Sequence, residues 1–235
     1  MHAIILAGGF GTRLRSVISD VPKPLAPIDD RPFIARMINF LADKDVSSVT
    51  LSVHHDWQKI RDYFAKHPAS LPIDYAIEKT PLGTGGAIAF SLSKYSGKDP
   101  VMVLNGDSFV RVDYQALYRQ HQQSGAILTM VLREVPDTGR YGRVLEKGGI
   151  ITSFAPGEPG KPGMINAGVY VIQPGLFVQN PMPAATFSFE QDFLPTRISV
   201  LKPASFHADD YFIDIGIPAD YDRACRELPG IISKL

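Results

Sequence analysis

The sequence predicts an α/β fold, a mainly parallel sheet with helices on both faces, followed by a smaller mixed α+β part. Three observations predict it. Short β-rich apolar runs alternate with helical patterns through the first half, a spacing that pairs strands in parallel and packs helices against them. A glycine-rich loop follows directly on the first run, at the strand end where open α/β sheets bind ligands. The second half then changes character, with a Gly-Gly hairpin and a stretch crowded with Pro and Gly. At 235 residues the leading count is one domain, read as two halves of about 1–135 and 136–235 without a clear linker.

The elements follow in order. His2–Leu6 is an apolar run that ends at Gly8-Gly9, too short for a signal-peptide core, and reads as a buried strand. Phe33–Ala42 is a helix entered through Pro32, Val49–Val53 a strand, and Trp57–Lys66 a helix with Asp56 as its N-cap. Strand Ile73–Ile77, helix Gly85–Leu92 and strand Val101–Leu104 continue the alternation. Asp113 opens helix Tyr114–Gln123, and Ile127–Leu132 follows as a strand. Val144–Leu145 and Ile150–Ile151 flank Gly148-Gly149 as a tight hairpin. Ala155–Gly163 has too much Pro and Gly for a regular element, and Ile165–Ile172 resumes as a strand. A short helix around Phe189–Leu194, small strands near Ile198–Leu201 and Ser205–His207, and a helix from Pro218 that stops before Pro229-Gly230 complete the pattern.

Charge and cysteine content exclude several classes. Lys+Arg and Asp+Glu both total 24, so net charge is zero and neither nucleic acid nor an anionic membrane can be gripped broadly by electrostatics. Cys225 alone allows no internal disulfide and no multi-thiolate metal site. No stretch approaches the roughly 20 apolar residues of a membrane span. The expectation is a reduced, soluble, cytoplasmic protein, with a homo-oligomer compatible with it. The adjacent His54-His55 cannot form a helix-face metal pair, and the phenylalanines and Trp57 read as packing residues.

The strongest signal is Leu6-Ala7-Gly8-Gly9-Phe10-Gly11-Thr12-Arg13-Leu14. Glycines at a strand end let backbone N–H groups approach an anion, and Arg13 would add forked donors to phosphate oxygens. A dinucleotide fingerprint would need a small residue at Leu14, and a Walker A loop a glycine at Arg13, so the loop belongs to neither group. Lys23 lies in Val21-Pro22-Lys23-Pro24-Leu25-Ala26-Pro27, where three prolines stiffen the path. Alone, that segment reads as a rigid loop with a solvated lysine. Asp107, after the apolar strand, and Asp214, in Phe212-Ile213-Asp214-Ile215-Gly216, put hard oxygens at two strand ends, where they could share one Mg²⁺ or serve as turn and cap residues.

The glycine loop and the Lys23 segment together resemble the signature of the sugar-1-phosphate nucleotidylyltransferases. Pro81-Leu82-Gly83-Thr84-Gly85-Gly86-Ala87, Leu104-Asn105-Gly106-Asp107, Ile165-Asn166-Ala167-Gly168-Val169-Tyr170 and Ile213-Asp214-Ile215-Gly216 extend the resemblance over nearly the whole chain. It implies the Rossmann-like mixed sheet of the nucleotide-diphospho-sugar transferases, with the nucleoside triphosphate on the first half and the sugar phosphate on the second. The implied catalytic groups are Arg13, Lys23 and Asp107. Leu6, Gly8, Gly9, Gly11, Thr12, Gly83 and Thr84 would bind the nucleotide, the glycines at 83–86 by close approach to a flat base. Glu78 stands either as an acceptor for guanine N–H groups or as a solvated strand-end residue. Asp107 and Asp214 would ligate Mg²⁺. Tyr141, Gly142, Asn166 and Gly168 would line the sugar pocket. Many relatives carry a Glu-Lys-Pro run whose Lys meets the sugar phosphate; here Glu158 and Lys161 are separated, and Lys161 stands in for that lysine.

The short Leu-Gly-Thr-Gly-Gly-Ala, Asn-Gly-Asp-Ser and Ile-Asn-Ala-Gly-Val-Tyr segments are most similar to those of the D-glycero-α-D-manno-heptose 1-phosphate guanylyltransferases, which use GTP to make GDP-heptose for capsule or other surface polysaccharides. The alternatives are mannose-1-phosphate guanylyltransferases, N-acetylmuramate 1-phosphate uridylyltransferases and catalytically inactive regulatory relatives. Loss of Arg13, Lys23, Asp107 or Asp214 would favour the last, and all four are present.

Overall fold

The computed structural model describes residues 1–9, 11–14, 17–18 and 21–232. In chain order the elements are β1 (His2–Leu6), β2 (Pro27–Ile28), β3 (Arg31–Pro32), α1 (Phe33–Ala42), β4 (Ser48–Val53), α2 (Trp57–Lys66), β5 (Ile73–Ile77), α3 (Gly83–Lys94), β6 (Val101–Asn105), β7 (Ser108–Val110), α4 (Tyr114–Ser124), β8 (Leu128–Val135), β9 (Arg143–Lys147), β10 (Ile150–Ala155), β11 (Gly163–Ile172), α5 (Leu176–Gln179), α6 (Leu194–Leu201), β12 (Ala204–His207), β13 (Phe212–Asp214) and α7 (Pro218–Ile232). No helix among the described residues is long and apolar enough to cross a membrane.

Two compact units form, interleaved along the chain: residues 1–81, 104–109 and 213–235 make one, and 82–103 and 110–212 the other. In the first, strands run in the order β5-β4-β1. Both β1–β4 and β4–β5 are parallel, in register from His2 opposite Ser48 and Val49 opposite Ile73. Ala3, Ile4 and Ile5 are consecutive and fully buried, as a strand covered on both faces requires. Helix α1 buries Phe33, Ile34, Met37, Ile38 and Leu41 at helical spacing, and its Phe40 meets Phe109 edge-on at 4.9 Å.

The second unit has the order β6-β11-β8-β12-β10-β9. Here β11–β8, β10–β12 and β10–β9 are antiparallel and β12–β8 parallel, so the antiparallel share of the mixed sheet is concentrated in this unit. Gly148 and Gly149 turn the β9–β10 hairpin with φ of 61° and 76°, the left-handed pair that a two-residue hairpin favours. Between Asn166 and Tyr170 the β11–β8 register shifts, and Gly168 sits in that bulge at φ 73°. Phe177, Phe187, Phe189 and Phe193 form an aromatic cluster beneath the 185–193 segment.

Three local expectations are corrected. Asp56 adopts a left-handed backbone and makes no cap; its carboxylate takes Lys59 Nζ at 2.9 Å instead. Ile198–Leu201 is the end of α6, because a π-helical turn over Phe189–Phe193 leads straight into a helix with Pro195 in its first turn, and this overrides the β-branched composition. Helix α7 runs through Pro229 to Ile232; so close to the helix end, Pro costs a single N–H. The short β2–β3 pair leaves Asp29, at φ 57°, and Asp30 exposed in the turn between its strands.

His121 on α4 is fully buried, with Nδ1 2.8 Å from Thr129 Oγ1 and Nε2 3.4 Å from the Gln173 amide. Burial lowers its pKa from 6.5 to about 4. Between those values the unfolded chain binds a proton that the folded chain refuses, so stability falls as pH falls through that window and levels off below it. At about 1.4 kcal/mol per pH unit the loss is of order 3 kcal/mol. Urea midpoints measured from pH 7.5 to 3.5 should show this step in the wild type and a much smaller one in His121→Gln.

Candidate active site

The first unit gathers the charged residues. Strand β1 ends at Leu6, whose carbonyl accepts the Gly106 N–H at 3.0 Å. A Cβ on Gly106 would lie 2.4 Å from that oxygen, so only glycine lets the turn after β6 close on the end of β1. The signature loop then passes Gly8, beside the His54 backbone and the Glu78 carboxylate, and the exposed Gly9. Gly11 has φ 58° and its α-carbon lies so near Lys23 that a Cβ would approach the lysine Cβ to 2.8 Å. A 3₁₀ turn over Thr12–Leu14 buries Leu14 and leaves Arg13 exposed. Phe10 and the Thr12 side chain lie outside the described residues.

Lys23 opens a second 3₁₀ turn, entered through Pro22 at ψ 146° and anchored by the buried Pro24 and Leu25. Its side chain is only 11% exposed, so it is not the solvated lysine that the segment alone suggests, and its Nζ donates to Asp107 Oδ2 at 2.6 Å. The Asp107 carbonyl accepts the Ile215 N–H at 2.9 Å, which brings the two aspartate-bearing segments side by side. Asp214 Oδ1 accepts the Gly216 N–H at 2.7 Å. Arg13, Lys23, Asp107 and Asp214 thus all belong to this unit.

Glu78 follows β5, its N–H bonded to the Val53 carbonyl. It is 7% exposed and accepts the Ser52 hydroxyl at 3.1 Å, which removes the solvated strand-end reading. Its carbonyl lies 3.0 Å from His54 Nδ1.

The second unit carries the remaining positions. Gly83 starts α3 at φ 71°, and the room made by Gly83, Gly85 and Gly86 is filled by the chain's own 185–187 segment. Phe187 accepts the Gly85 N–H at 3.0 Å and donates to Leu82 at 2.9 Å. The Cβ side of these glycines is thus taken up by internal packing. Thr84 is likewise turned inward: its hydroxyl donates to Glu190 Oε2 at 2.6 Å and accepts the Phe189 N–H at 2.8 Å.

Tyr141 and Gly142 lie in a turn closed on the buried Thr138, whose carbonyl accepts both N–H groups. The Tyr141 ring meets Phe212 edge-on at 5.8 Å, with the Arg140 guanidinium 5.2 Å from its centre. Glu158 and Lys161, separated in sequence, meet in space at 2.5 Å, and Arg143 pairs with the other Glu158 oxygen. Lys161 first, and Arg143 with it, hold the Glu158 carboxyl below the usual carboxylate range. Asn166 Oδ1 accepts the Gly168 N–H at 3.0 Å across the bulge, and its Nδ2 donates to the Tyr170 hydroxyl at 2.6 Å. Sequence reasoning missed Arg143, Tyr170 and Glu190; the acidic Glu190 stands in a run read only as a short helix, with nothing to mark its partners.

With this geometry in view, the likeness to known proteins is specific. Residues 2–229 match the family model described as "Nucleotidyl transferase". The D-glycero-alpha-D-manno-heptose 1-phosphate guanylyltransferase of Aneurinibacillus thermoaerophilus is 40% identical over 228 residues, 97% of this chain and 98% of that protein. The enzyme of the same name from Campylobacter jejuni subsp. jejuni serotype O:2 is 39% identical, covering 94% and 97%. The crystal structure of HddC from Yersinia pseudotuberculosis superposes with a TM-score of 0.86 at 36% identity over 97% of this chain and 99% of that one, and its complex with GMP-PN with a TM-score of 0.83. The fold, the family model and the full-length similarity agree, and the chain belongs to the nucleotidyl transferase family.

Proposed function

We propose that this chain transfers GMP from GTP to D-glycero-α-D-manno-heptose 1-phosphate, giving GDP-heptose and pyrophosphate in the cytoplasm for a surface polysaccharide such as capsule. The observation that carries this reading is the near full-length identity of 39–40% to two guanylyltransferases of that name. The Lys23–Asp107 pair and the Arg13 turn, within one compact unit, are the tools that the reaction needs.

A phosphate monoester has a second pKa of about 6, so the sugar phosphate is largely dianionic at pH 7 and needs no general base. One of its oxygens attacks the α-phosphorus of GTP; the bond from that phosphorus to the bridging β-phosphate oxygen breaks, and pyrophosphate leaves with the electron pair. The barrier is the repulsion and alignment of two anions, so catalysis rests on fixed cations and positioning. Lys23 supplies a compact ammonium on a stiff turn, and Arg13 a forked donor at the glycine loop. The backbone of Gly8, Gly9 and Gly11 would cradle the phosphates, and Glu78, buried beside Gly8, would accept guanine N–H groups. Tyr141, Gly142, Asn166, Gly168 and Lys161 would serve the sugar phosphate, with Arg143 sharing the anionic end through Glu158.

The donor set fits a hard divalent cation. Asp107 and Asp214 offer only carboxylate oxygens on adjoining segments, and among the described residues no group of three or more His, Cys, Asp or Glu side chains could enclose a metal. Two carboxylates suit Mg²⁺, which keeps waters and takes phosphate oxygens as its other ligands. Bound there, it would neutralise charge on the triphosphate. Asp107 and Asp214 would hold the ion, and the Lys23 ammonium would serve the substrate phosphates.

Two measurements check this reading. A matrix of GTP, ATP, UTP, CTP and dTTP against sugar 1-phosphates, followed by pyrophosphate release, should give product with GTP and manno-heptose 1-phosphate at a kcat/KM at least about tenfold above that for mannose 1-phosphate, the discrimination expected when a site hydrogen-bonds an extra hydroxyl. Activity confined to UTP would reject the guanine assignment. Asp107→Asn should lower kcat by about 10²–10³-fold, the scale of removing one preorganised electrostatic group, with an unfolding temperature close to wild type. Unchanged turnover in that variant would remove Asp107 from the chemistry.

A further inference from the structure

Within the second unit a chain of hydrogen bonds runs from Gly168 to Thr84 through two residues that the proposed reaction does not use. Gly168 N–H donates to Asn166 Oδ1 at 3.0 Å, Asn166 Nδ2 to the Tyr170 hydroxyl at 2.6 Å, and Tyr170 O–H to Glu190 Oε1 at 3.1 Å. The other Glu190 oxygen accepts Thr84 Oγ1 at 2.6 Å and Ser188 Oγ at 3.3 Å. Glu190 itself stands on a π-helical turn, an irregularity that recurs at functional sites. Three local bonds clamp that turn: Ser188 N–H to Asp192 at 2.7 Å, Phe189 N–H to Thr84 at 2.8 Å, and Gln191 N–H to Ser188 at 3.1 Å.

The direction of this chain is dictated by its ends. A backbone N–H only donates, and a carboxylate only accepts. Glu190 therefore takes the Tyr170 hydrogen and leaves the phenol oxygen as an acceptor, and Gly168 requires an acceptor from Asn166. Both conditions are met by one of the two orientations of the Asn166 amide. Tyr170 is fully buried, and burial together with the Glu190 charge raises its pKa well above the ordinary value, so it acts as a neutral relay.

We propose that Glu190 is a positioning residue: through the Tyr170 hydroxyl its carboxylate, together with the Gly168 N–H, fixes the orientation of the Asn166 side-chain amide, and so where that amide donates and where it accepts toward a sugar hydroxyl. The inference rests on the assignment of Asn166 to the sugar pocket. In Glu190→Gln the carbonyl that satisfies Thr84 places an NH₂ against the Tyr170 oxygen, and the phenol hydrogen turns toward Asn166. In Tyr170→Phe the relay is absent.

The test pairs kinetics with a readout that needs no turnover. With GTP and the sugar 1-phosphate that the wild type uses best, both variants should raise the KM for the sugar phosphate about tenfold, the worth of one neutral hydrogen bond, while kcat and the KM for GTP stay within about twofold. In an Asn166→Ala background neither change should add anything further, since an effect exerted through Asn166 vanishes with it. The Asn166 side-chain NH₂ resonances of the substrate-free protein should shift upfield in both variants, and Glu190→Gln, at a part-exposed site, guards against a Tyr170→Phe that fails to fold. Fully additive effects in the cycle, a GTP KM that moves as much as the sugar KM, or unmoved Asn166 resonances would each overturn the relay. A wild type without activity on any sugar 1-phosphate would reject the functional reading, and the resonances would then decide the relay alone.

Discussion

The contact between the Lys23 ammonium and the Asp107 carboxylate is the interaction on which the charged side of this protein depends. A lysine as covered as Lys23 loses much of its hydration, and only a directly bonded anion offsets that cost. The surrounding backbone exists to make the contact. Pro22 sets the entry to the turn, Pro24 and Leu25 bury its base, and Gly11 lets the signature loop lie against the lysine stem. On the other side, Gly106 allows the turn bearing Asp107 to close on the end of β1. The carboxylate is 43% exposed, so the pair is open at its acidic end. Under the proposed function that asymmetry would suit re-sorting of the pair by a polyphosphate: the lysine side chain is covered, whereas the aspartate carboxylate is open to solvent.

The sequence reveals most where a single periodicity acts alone. Strands β1 and β5 and helices α1 and α2 lie where the sequence puts them: β1 is a short apolar run covered on both faces, and α1 buries a stripe at helical spacing. The hairpin at Gly148-Gly149 is legible for a different reason, since two adjacent left-handed residues are a turn whatever surrounds them. The failures come where two local signals compete. Ile198–Leu201 has strand composition, yet it continues a helix already nucleated by the capped turn at Ser188. Pro229 reads as a stop, yet it falls where a helix has few N–H groups left to lose.

The site divides in the same way. Residues that act through charge or backbone shape, such as Lys23, Asp107 and Gly11, leave a mark in the sequence because few residue types can do their work. Glycines are ambiguous when the space they create has two claimants: those at 83–86 suggest an approaching ligand, and on their Cβ side Phe187 and Ala185 occupy the room. The Glu158–Lys161 pair shows the reverse case, since residues three apart in a Pro/Gly-rich loop read as separated and the turn brings them together. Glu190 was illegible because its significance lies entirely in partners 20 and 106 positions away.

The two units use polarity differently, and that difference bears on how each can discriminate. Around Lys23 the information is charge, which attracts any phosphate and distinguishes poorly among the groups attached to it. Around Asn166 it is the direction of neutral hydrogen bonds, imposed by a donor-only N–H at one end and an acceptor-only carboxylate at the other. A site that fixes direction penalises a ligand hydroxyl on the wrong carbon, because the mismatched partner leaves a part-buried donor or acceptor without its bond. Under the proposed function, selectivity for one sugar over its epimer would belong with the Asn166–Tyr170–Glu190 chain, and the rate with Lys23, Arg13, Asp107 and Asp214. Substitutions along the first should reorder sugar preference at nearly constant turnover, and substitutions along the second should slow every sugar alike.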